Sequence, residues 1–467
     1  MRSHALRGRR RETGAALVLG LVFVALAASL AVAFATSSAL ELRKSANSAD
    51  GAQAQLAAES GLTYYQYLLR DVRFDPGVTA ETLLDGLQSS LGEKLSQMDE
   101  NTQPMFTRVG NTLSISPISL AQGAFSAQFT VSDGDPLTCY LTVTGSKGGA
   151  ARRTRLLASC VPRRSAVFDY GVASRGAIVV SGSALLEGVN EAGEASILST
   201  REEPVAIEAG GHAEISGDLF VTGSDLNYVL LKGSVSIGGT DDIEEILSDH
   251  VCLGTQDPEF PELDIDPIAA LATTTVNADT DFSGTTTFNN IRVEAGTDPS
   301  FASGTVINGV LVIEAPNKVT FSGSCTINGI IVTEPAEGAS IDDCQIDFRG
   351  SSSIPGVSAL EDTEEWADVK AFTGSVILAP GFGLTFRGNT NAVNGAIAAD
   401  QLSFSGASGV EGTFTGAILG LANTELSLQG NTTIRINREG DVGLAAGFKH
   451  PKGLDFDPDS YVEPPAD

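Results

Sequence analysis

Two stretches twenty residues apart decide how this chain folds: FASGTVINGVLVIE at Phe301–Glu314 and FSGSCTINGIIVTE at Phe321–Glu334. Each opens on phenylalanine, turns at a Ser-Gly step, and places Asn-Gly in the middle (Asn308-Gly309, Asn328-Gly329). Each then runs through four apolar or β-branched residues to a glutamate. A unit this short cannot bury a face by itself, so a period near twenty implies stacked coils. Stacked strands pair about 4.8 Å apart and align like side chains into ladders. Glycine and asparagine at the corners supply the left-handed backbone that a tight coil needs.

Weaker copies lie to either side. Downstream come Phe386 to Asp400 with Asn394-Gly395, then Phe404-Ser-Gly, then Thr415-Gly416-Ala-Ile-Leu-Gly420. Upstream come Gly176-Ala-Ile-Val-Val-Ser-Gly182 and Ile215-Ser-Gly-Asp-Leu-Phe-Val-Thr-Gly223. The texture begins near Ala166: glycine supplies 14 of the first 165 residues but 37 of the last 302. The expectation is a mainly β chain whose residues 166–440 form a right-handed parallel β-helix with a period of about 20 residues. Two acidic segments break the period, 241–280 (DDIEEILSDH, TQDPEFPELDIDP) and 354–371 (LEDTEEWADVK), and read as excursions from its side. Residues 441–467, ending in FDPDSYVEPPAD, read as a polar tail or cap.

Before Ala166 the pattern differs. From Asn111 apolar and polar residues alternate in short runs (TLSISPISL, GAFSAQFTVS, LTCYLTVTG, TRLLASCV), the mark of antiparallel strands. Thr79 to Met98 reads as an amphipathic helix, so residues 74–165 make a small α+β head. Ahead of it, 15–73 reads as one long helix that ends at Asp75-Pro76-Gly77. Leu56, Tyr64, Tyr67 and Leu68 form the stripe expected to pack on the head, with Gly51 and Gly61 as its weak points.

The first part of that helix, Ala15 to Ala35 (AALVLGLVFVALAASLAVAFA), carries no charge. At about 1.5 Å per residue it matches a bilayer's hydrocarbon core of roughly 30 Å. A secretory signal is the competing reading, and Ala33-Phe34-Ala35 imitates its cleavage site. Its apolar core usually runs about 7–15 residues, shorter than this one. Five arginines (Arg2, Arg7, Arg9, Arg10, Arg11) lie in the basic leader, residues 1–14, while Glu41, Arg43, Lys44 and Asp50 cancel on the other flank. The positive-inside rule therefore expects a single-pass protein of the inner or cytoplasmic membrane, with its N-terminus in the cytoplasm and the bulk periplasmic or extracellular.

The chain carries a net charge of −29, which disfavours nucleic acid as a partner. Five cysteines without a CxxC give no zinc-ribbon or redox motif. Cys139 and Cys160 flank a hairpin, and Cys325 and Cys344 lie nineteen residues apart, so two disulfides are candidates against buried free thiols; Cys252 is left over. A β-helix also raises a carbohydrate-active enzyme, whose site needs carboxylates gathered beside a basic residue. Asp342, Asp343 and Asp347 near Arg349, Asp241-Asp242 with Glu244-Glu245, Asp264 with Asp266, and Asp455-Asp457-Asp459 all read first as turn or solvated residues. His4, His212, His250 and His450 show no metal-binding spacing. One tryptophan and seven tyrosines make a poor sugar-stacking surface. The expectation is a non-enzyme without cofactor or metal.

RRRETG ending at Gly14, the run from Ala15, Leu40-Glu41-Leu42-Arg43 and AQLAAESGLTYY ending near Tyr65 together resemble the type IV pilin-like proteins. They resemble in particular those with a PilX-type N-terminal domain and the K-type minor pseudopilins of type II secretion. The resemblance covers about seventy residues. It implies that a prepilin peptidase cuts between Gly14 and Ala15 and methylates the new terminus. It also implies that the helix through Leu19, Val24 and Ala35 packs among other pilin-like subunits in a filament. Most such proteins carry glutamate five residues after the cut, to neutralise a neighbour's buried terminal amine; Leu19 stands there, which fits a subunit at a filament tip. The solenoid texture is similar to the Gly-rich regions behind PilX-type N-termini and, more distantly, to bactofilins. The resemblance implies a structural minor pilin or pseudopilin. An unprocessed surface adhesin or envelope scaffold is the alternative, and a carbohydrate-active enzyme the third.

Overall fold

A computed structural model describes residues 12–98, 105–132, 134, 137–406, 409–410, 414–438 and 444–465. The chain divides into two units, residues 1–161 with 452–467, and residues 162–451.

In the first unit one helix, α1 (Glu12–Leu69), runs unbroken for 58 residues. It stops before an Asx turn in which Gly77 N donates to Asp75 Oδ1 at 2.8 Å. Thr79 then caps α2 (Ala80–Met98), its hydroxyl accepting from Thr82 N. Five antiparallel strands follow: β1 (Phe106–Val109), β2 (Thr112–Leu120), β3 (Gly123–Val131), β4 (Thr138–Lys147) and β5 (Ala150–Pro162). Strict alternation buries Leu113, Ile115, Phe125, Phe129, Leu141, Val143 and Leu156 on one face, against Leu62, Tyr65, Leu69, Leu84, Leu87 and Leu91 of the two helices.

The segment read as a polar tail is instead partly structural. Lys452–Val462 is a sixth strand on the free edge of β5. Leu454 sits in the core and Phe456 packs against it, an apolar alternation masked in sequence by the aspartates between.

The second unit is built from short strands paired in parallel. Val306–Glu314 lies on Thr326–Glu334 through nine residues in register, Asn308 on Asn328 and Gly309 on Gly329. The spatial order is not the chain order. Thr274 lies on Ile291, Ile291 on Leu311, Leu311 on Ile331, Ile331 on Ile377, Ile377 on Ile397 and Ile397 on Ile418. Ile418 then lies on Val172, at the start of the unit. The ladder continues from Val172 to Ile197, Leu219 and Val251. The chain thus enters in the middle, builds outward to Val251, crosses to the far end, and builds back until its last layer meets its first.

A glycine column traces the same order. Gly406, Gly430, Gly182, Gly211 and Gly233 have φ of 81°, 78°, 80°, 76° and 81°. A methyl on any of the last four would lie 2.6–2.7 Å from the carbonyl oxygen of the glycine before it in the column. Inside the ladder Phe301, Phe321, Phe348, Phe386 and Phe404 stack face to face, with centroids 4.7–5.1 Å apart and planes within 12°.

The segment 241–280 holds a short helix, α3 (Ile243–Asp249), N-capped by Asp242 and burying Ile246, and then the crossing itself. The ten steps between these eleven layers, at about 4.8 Å each, make roughly 48 Å, within reach of some twenty extended residues. On its way Phe260, Ile268 and Ala269 cover outward-facing Val310, Val312, Ile330 and Val332. Trp366 and Val369, from the 354–371 segment, join the same cluster.

Candidate functional site

α1 changes character along its length. From Leu17 to Phe34 every large apolar side chain is exposed, Leu19 and Val24 at 68 % each, and Ala35 is exposed too. A surface helix of a soluble protein buries its apolar stripe; this segment is, by length and composition, long and apolar enough to cross a membrane, and one helix among the described residues meets that test. Gly14 and Ala15 lie in its first two turns. The basic residues Arg2 to Arg11 fall outside the described residues.

Beyond Asp50 the helix lies on the sheet through Ala54, Ala58, Leu62, Tyr65 and Leu69. The stripe expected from the sequence is corrected here. Leu56 and Tyr67 are exposed and Tyr64 is half-buried, leaving Leu68 alone of the four in the core. Small residues mark the closest points of the contact. A methyl at Gly61 would lie 2.6 Å from the Phe125 ring and 2.8 Å from Val143, and one on Gly145 of β4 would strike the Ala54 carbonyl oxygen. Gly61, expected as a weak point, is one of the places where helix and sheet approach closely, and Gly145 against Ala54 is closer still. Tyr65, fully buried, meets Phe125 and Phe129 edge-on at 6.0 and 6.1 Å.

Neither candidate disulfide forms; all five cysteines are free thiols. Cys139 is opposite Ala158 in the β4–β5 ladder, which puts Cys160 two residues along on a diagonal. A diagonal pair lies about 7–8 Å apart, too far for an S–S bond. Cys344 lies on Asn317, not on Cys325, whose Sγ faces the carbonyl oxygens of Ala302 and Ser322 at 3.5 and 3.6 Å. Burial pushes these thiols up, Cys139 to about 12, so they are inert packing groups.

Most of the candidate carboxylates among the described residues serve in ion pairs, turns and helix starts. Asp347 is held by Arg349, whose Nε donates at 2.6 Å, and pairs with Arg387 at 3.3 Å. Asp343 pairs with Lys318 at 3.1 Å. Asp342 stays exposed in a one-turn helix, its backbone N donating to Ser340 Oγ. Asp242 serves as the cap already described, and Asp457 accepts from its neighbour Asp459 N at 3.0 Å. Asp266 opens a one-turn helix and Asp264 donates its backbone N to the Gly447 carbonyl. His250 sits 2.7 Å from Asp218, and His450 faces the Ala445 carbonyl at 2.8 Å. Among the described residues no cluster of His, Cys, Asp and Glu could hold a metal ion.

A groove of about 400 Å³ runs beside the crossing segment, lined by Arg175, Glu202, Asp257 and Phe260 among others. Arg175 lies over the Phe260 ring at 5.2 Å, which occupies the one aromatic face there. Burial pushes the Asp257 carboxyl up, against the pull of Arg175 and with the push of Glu202.

Ties between layers went unread in the sequence. Arg292 bridges Glu314 at 3.2 Å and Glu334, and donates to the Ala269 carbonyl of the crossing segment at 3.2 Å. Asn328 donates to Asn308 and Asn308 to Asn289, each at 3.0 Å. Where first and last layers meet, Arg438 N donates to Glu194 at 2.8 Å, its guanidinium donates to the Tyr170 carbonyl, and Arg435 pairs with Glu187. Burial, then Arg164 nearby, lowers Arg438 to about 10.

No protein-family model matches the chain, and no curated protein matches it. Among solved structures it is similar to that of the competence-associated pilin ComZ from Thermus thermophilus, with 12 % identity over 89 % of this chain and 98 % of that one. The TM-score of 0.26 is too low for that likeness to support a fold or a function.

Proposed function

We propose that the chain is a pilin-like structural subunit, anchored by α1 in the inner or cytoplasmic membrane and carrying the second unit as a right-handed parallel β-helix outside the cytoplasm. One observation carries the reading. A single helix is apolar and exposed on all faces for its first half, then docked on an antiparallel sheet through a small-residue face for its second. That division suits a helix used twice, in the membrane and then in a filament of like helices, with a rigid head fixed to its end. The N-terminal residues add a prepilin-type junction at Gly14-Ala15, and prepilin peptidase and other pilin-like subunits as partners. The role is structural, without catalysis, and the parallel ladders serve as a stiff surface for display. A minor pilin or minor pseudopilin fits this better than a major one, because Leu19 supplies no charge to neutralise a neighbour's terminal amine in an apolar core. The same leucine favours the second reading, an unprocessed membrane-anchored adhesin or envelope scaffold.

Mass spectrometry of the N-terminus, on protein isolated from its own membranes, decides between them. A chain beginning at methylated Ala15 is expected. A chain still beginning at Met1 or Arg2 refutes the pilin reading and leaves the scaffold; a cut after Ala35 refutes both. Val24→Lys should separately abolish incorporation into filaments, because a charge at the centre of a membrane helix is costly.

A further inference from the structure

Charge is segregated along the first unit. At its membrane-side end, residues 36–54 of α1 and 144–153 of the sheet carry five basic side chains (Arg43, Lys44, Lys147, Arg152, Arg153) and two acidic ones (Glu41, Asp50). The rest of the unit beyond the apolar run carries six basic and fifteen acidic side chains, and the second unit thirteen and forty. Of these three parts only the basic end is net positive.

The direction of the β4–β5 hairpin makes this an oriented feature. Along β4, Val143 lies at Gly61 and Gly145 at Ala54, so β4 runs back toward the membrane end of α1. The hairpin turn meets Asp50 at Gly148. Arg152, opposite Gly145, brings its guanidinium to the same level, within 3.4 Å of where a methyl on Gly51 would be. Arg43, Lys44 and Arg152 are exposed.

We infer that this hairpin and the adjoining helix dock on anionic phospholipid headgroups, so that the head rests on the membrane surface while α1 is embedded. The inference rests on α1 being a membrane anchor. From Ala35 to Asp50 is about 22 Å of helix. The headgroup layer takes up roughly 5–8 Å of that, and Arg43 and Lys44 lie in the gap. A tilt of about 30° toward the hairpin, within the range that single helices adopt, lowers the sheet further. With Arg152 at the level of Gly51, that tilt brings the cluster to about one Debye length, roughly 8 Å, from the phosphates. An acidic protein surface would satisfy the same charges, but the cluster lies on the side of the unit from which the anchor emerges, where a bilayer is always present.

The test uses the full chain with Cys252→Ser, which removes the one cysteine that is not fully buried, and Ala150→Cys carrying a fluorophore. It is reconstituted in vesicles of phosphatidylcholine alone or with about a third phosphatidylglycerol, each with a quencher on the headgroup. Quenching is expected in the anionic vesicles, weak in the neutral ones, and reversed by about 0.5 M salt, where the Debye length falls to about 4 Å. Lys147→Glu and Arg152→Glu should each lower the docked-to-free ratio by about fivefold or more, the effect of one basic side chain at an anionic surface. The salt arm needs no variant and so is independent of folding. Equal quenching in both lipids, or none in either, overturns the proposal. Hairpin protection in neutral lipid that grows with protein density assigns the patch to an acidic surface of a second copy, and also overturns it. Resistance to alkaline extraction is measured in parallel. Protein that is extracted refutes the anchor reading, whereas anchored protein without quenching refutes the docking alone.

Discussion

Replacing Phe348 removes the middle ring of a five-ring stack. Its centroid lies 4.7 Å from that of Phe321 and 4.8 Å from that of Phe386, with planes within 8°, and it is 1 % exposed. Phe348→Ala loses a fully buried ring and leaves a cavity, about 3–5 kcal/mol. Phe348→Leu keeps most of the volume but loses two aromatic pairs at about 0.5–1.5 kcal/mol each, so about 1–3 kcal/mol in pairing. Phe382 is the control: it is equally buried, without a ring partner among the described residues. Phe382→Leu should cost only the swap of shape, under about 1.5 kcal/mol. Trp366, the sole tryptophan, is 7 % exposed within the same unit, so its fluorescence reports that unit's unfolding in urea in the intact chain. With a common urea slope, the difference between the two leucine variants reads the stacking alone. Equal costs for Phe348→Leu and Phe382→Leu, within about 0.5 kcal/mol, would refute the claim that ring pairing adds to burial.

Gly61→Val should clash with Phe125 and Val143, destabilising the first unit by about 1–3 kcal/mol; loss of hydrogen-exchange protection over residues 54–69 is the readout, and unchanged protection would sink the close-approach argument. Gly182→Ala is strained at φ 80° and strikes the Gly430 carbonyl. Exchange should therefore rise together in residues 171–188 and 418–436, far apart in sequence; a rise in the first alone would contradict the layer order. Burial lowers the pKa of His450, against the pull of the Ala445 carbonyl. Its folded pKa lies below the unfolded value of about 6.5, so its contribution is present above that pH and is lost as pH falls through the folded value. The second unit should weaken from pH 7 toward pH 5, and His450→Gln should flatten that dependence; an unchanged slope would acquit His450.

The long helix, α2 and the head strands were legible because each has a period that owes little to distant residues. So was the register of 301–314 on 321–334, where Phe, Asn-Gly and Glu recur at the same offset. The layer order was not legible. Self-similar units declare that they stack but not which one meets which, and Val172 is as good a neighbour for Ile418 as for Ile197. The helix stripe was misread because bulky residues such as Leu56 and Tyr67 outweigh alanine on any hydrophobicity scale, yet a close helix–sheet approach selects Ala54, Ala58 and Gly61. The cysteine pairings failed on register: spacing near the repeat length does not place two residues in one column. For the site, the apolar run was plain in the sequence. The basic hairpin was not, because only the direction of β4 carries Arg152 back to Gly51, toward the end of the helix that holds Arg43.

The seam between the last and first layers makes the second unit unlike a solenoid that grows from one end. Ile418 and Val172 are nearly 250 residues apart. Closing that loop instead of one of about twenty costs roughly 2 kcal/mol more in chain entropy. Three parallel ladders cross the seam, and they bury Ile178, Val180, Leu186, Leu426, Leu428, Ile434 and Ile436. At about 1.5–3 kcal/mol for each side chain removed from water, that burial exceeds the closure cost several times over. The seam is therefore stable once made, but it cannot be made until the final strands exist. Until then the Val172 layer and the Ile397 layer each present an unpaired edge, the feature that exposes incomplete sheets to aggregation. Arg438, Glu194 and Arg435 lie at this junction, where hydrogen bonds and an ion pair add specificity to a contact that apolar ladders would accept in more than one register.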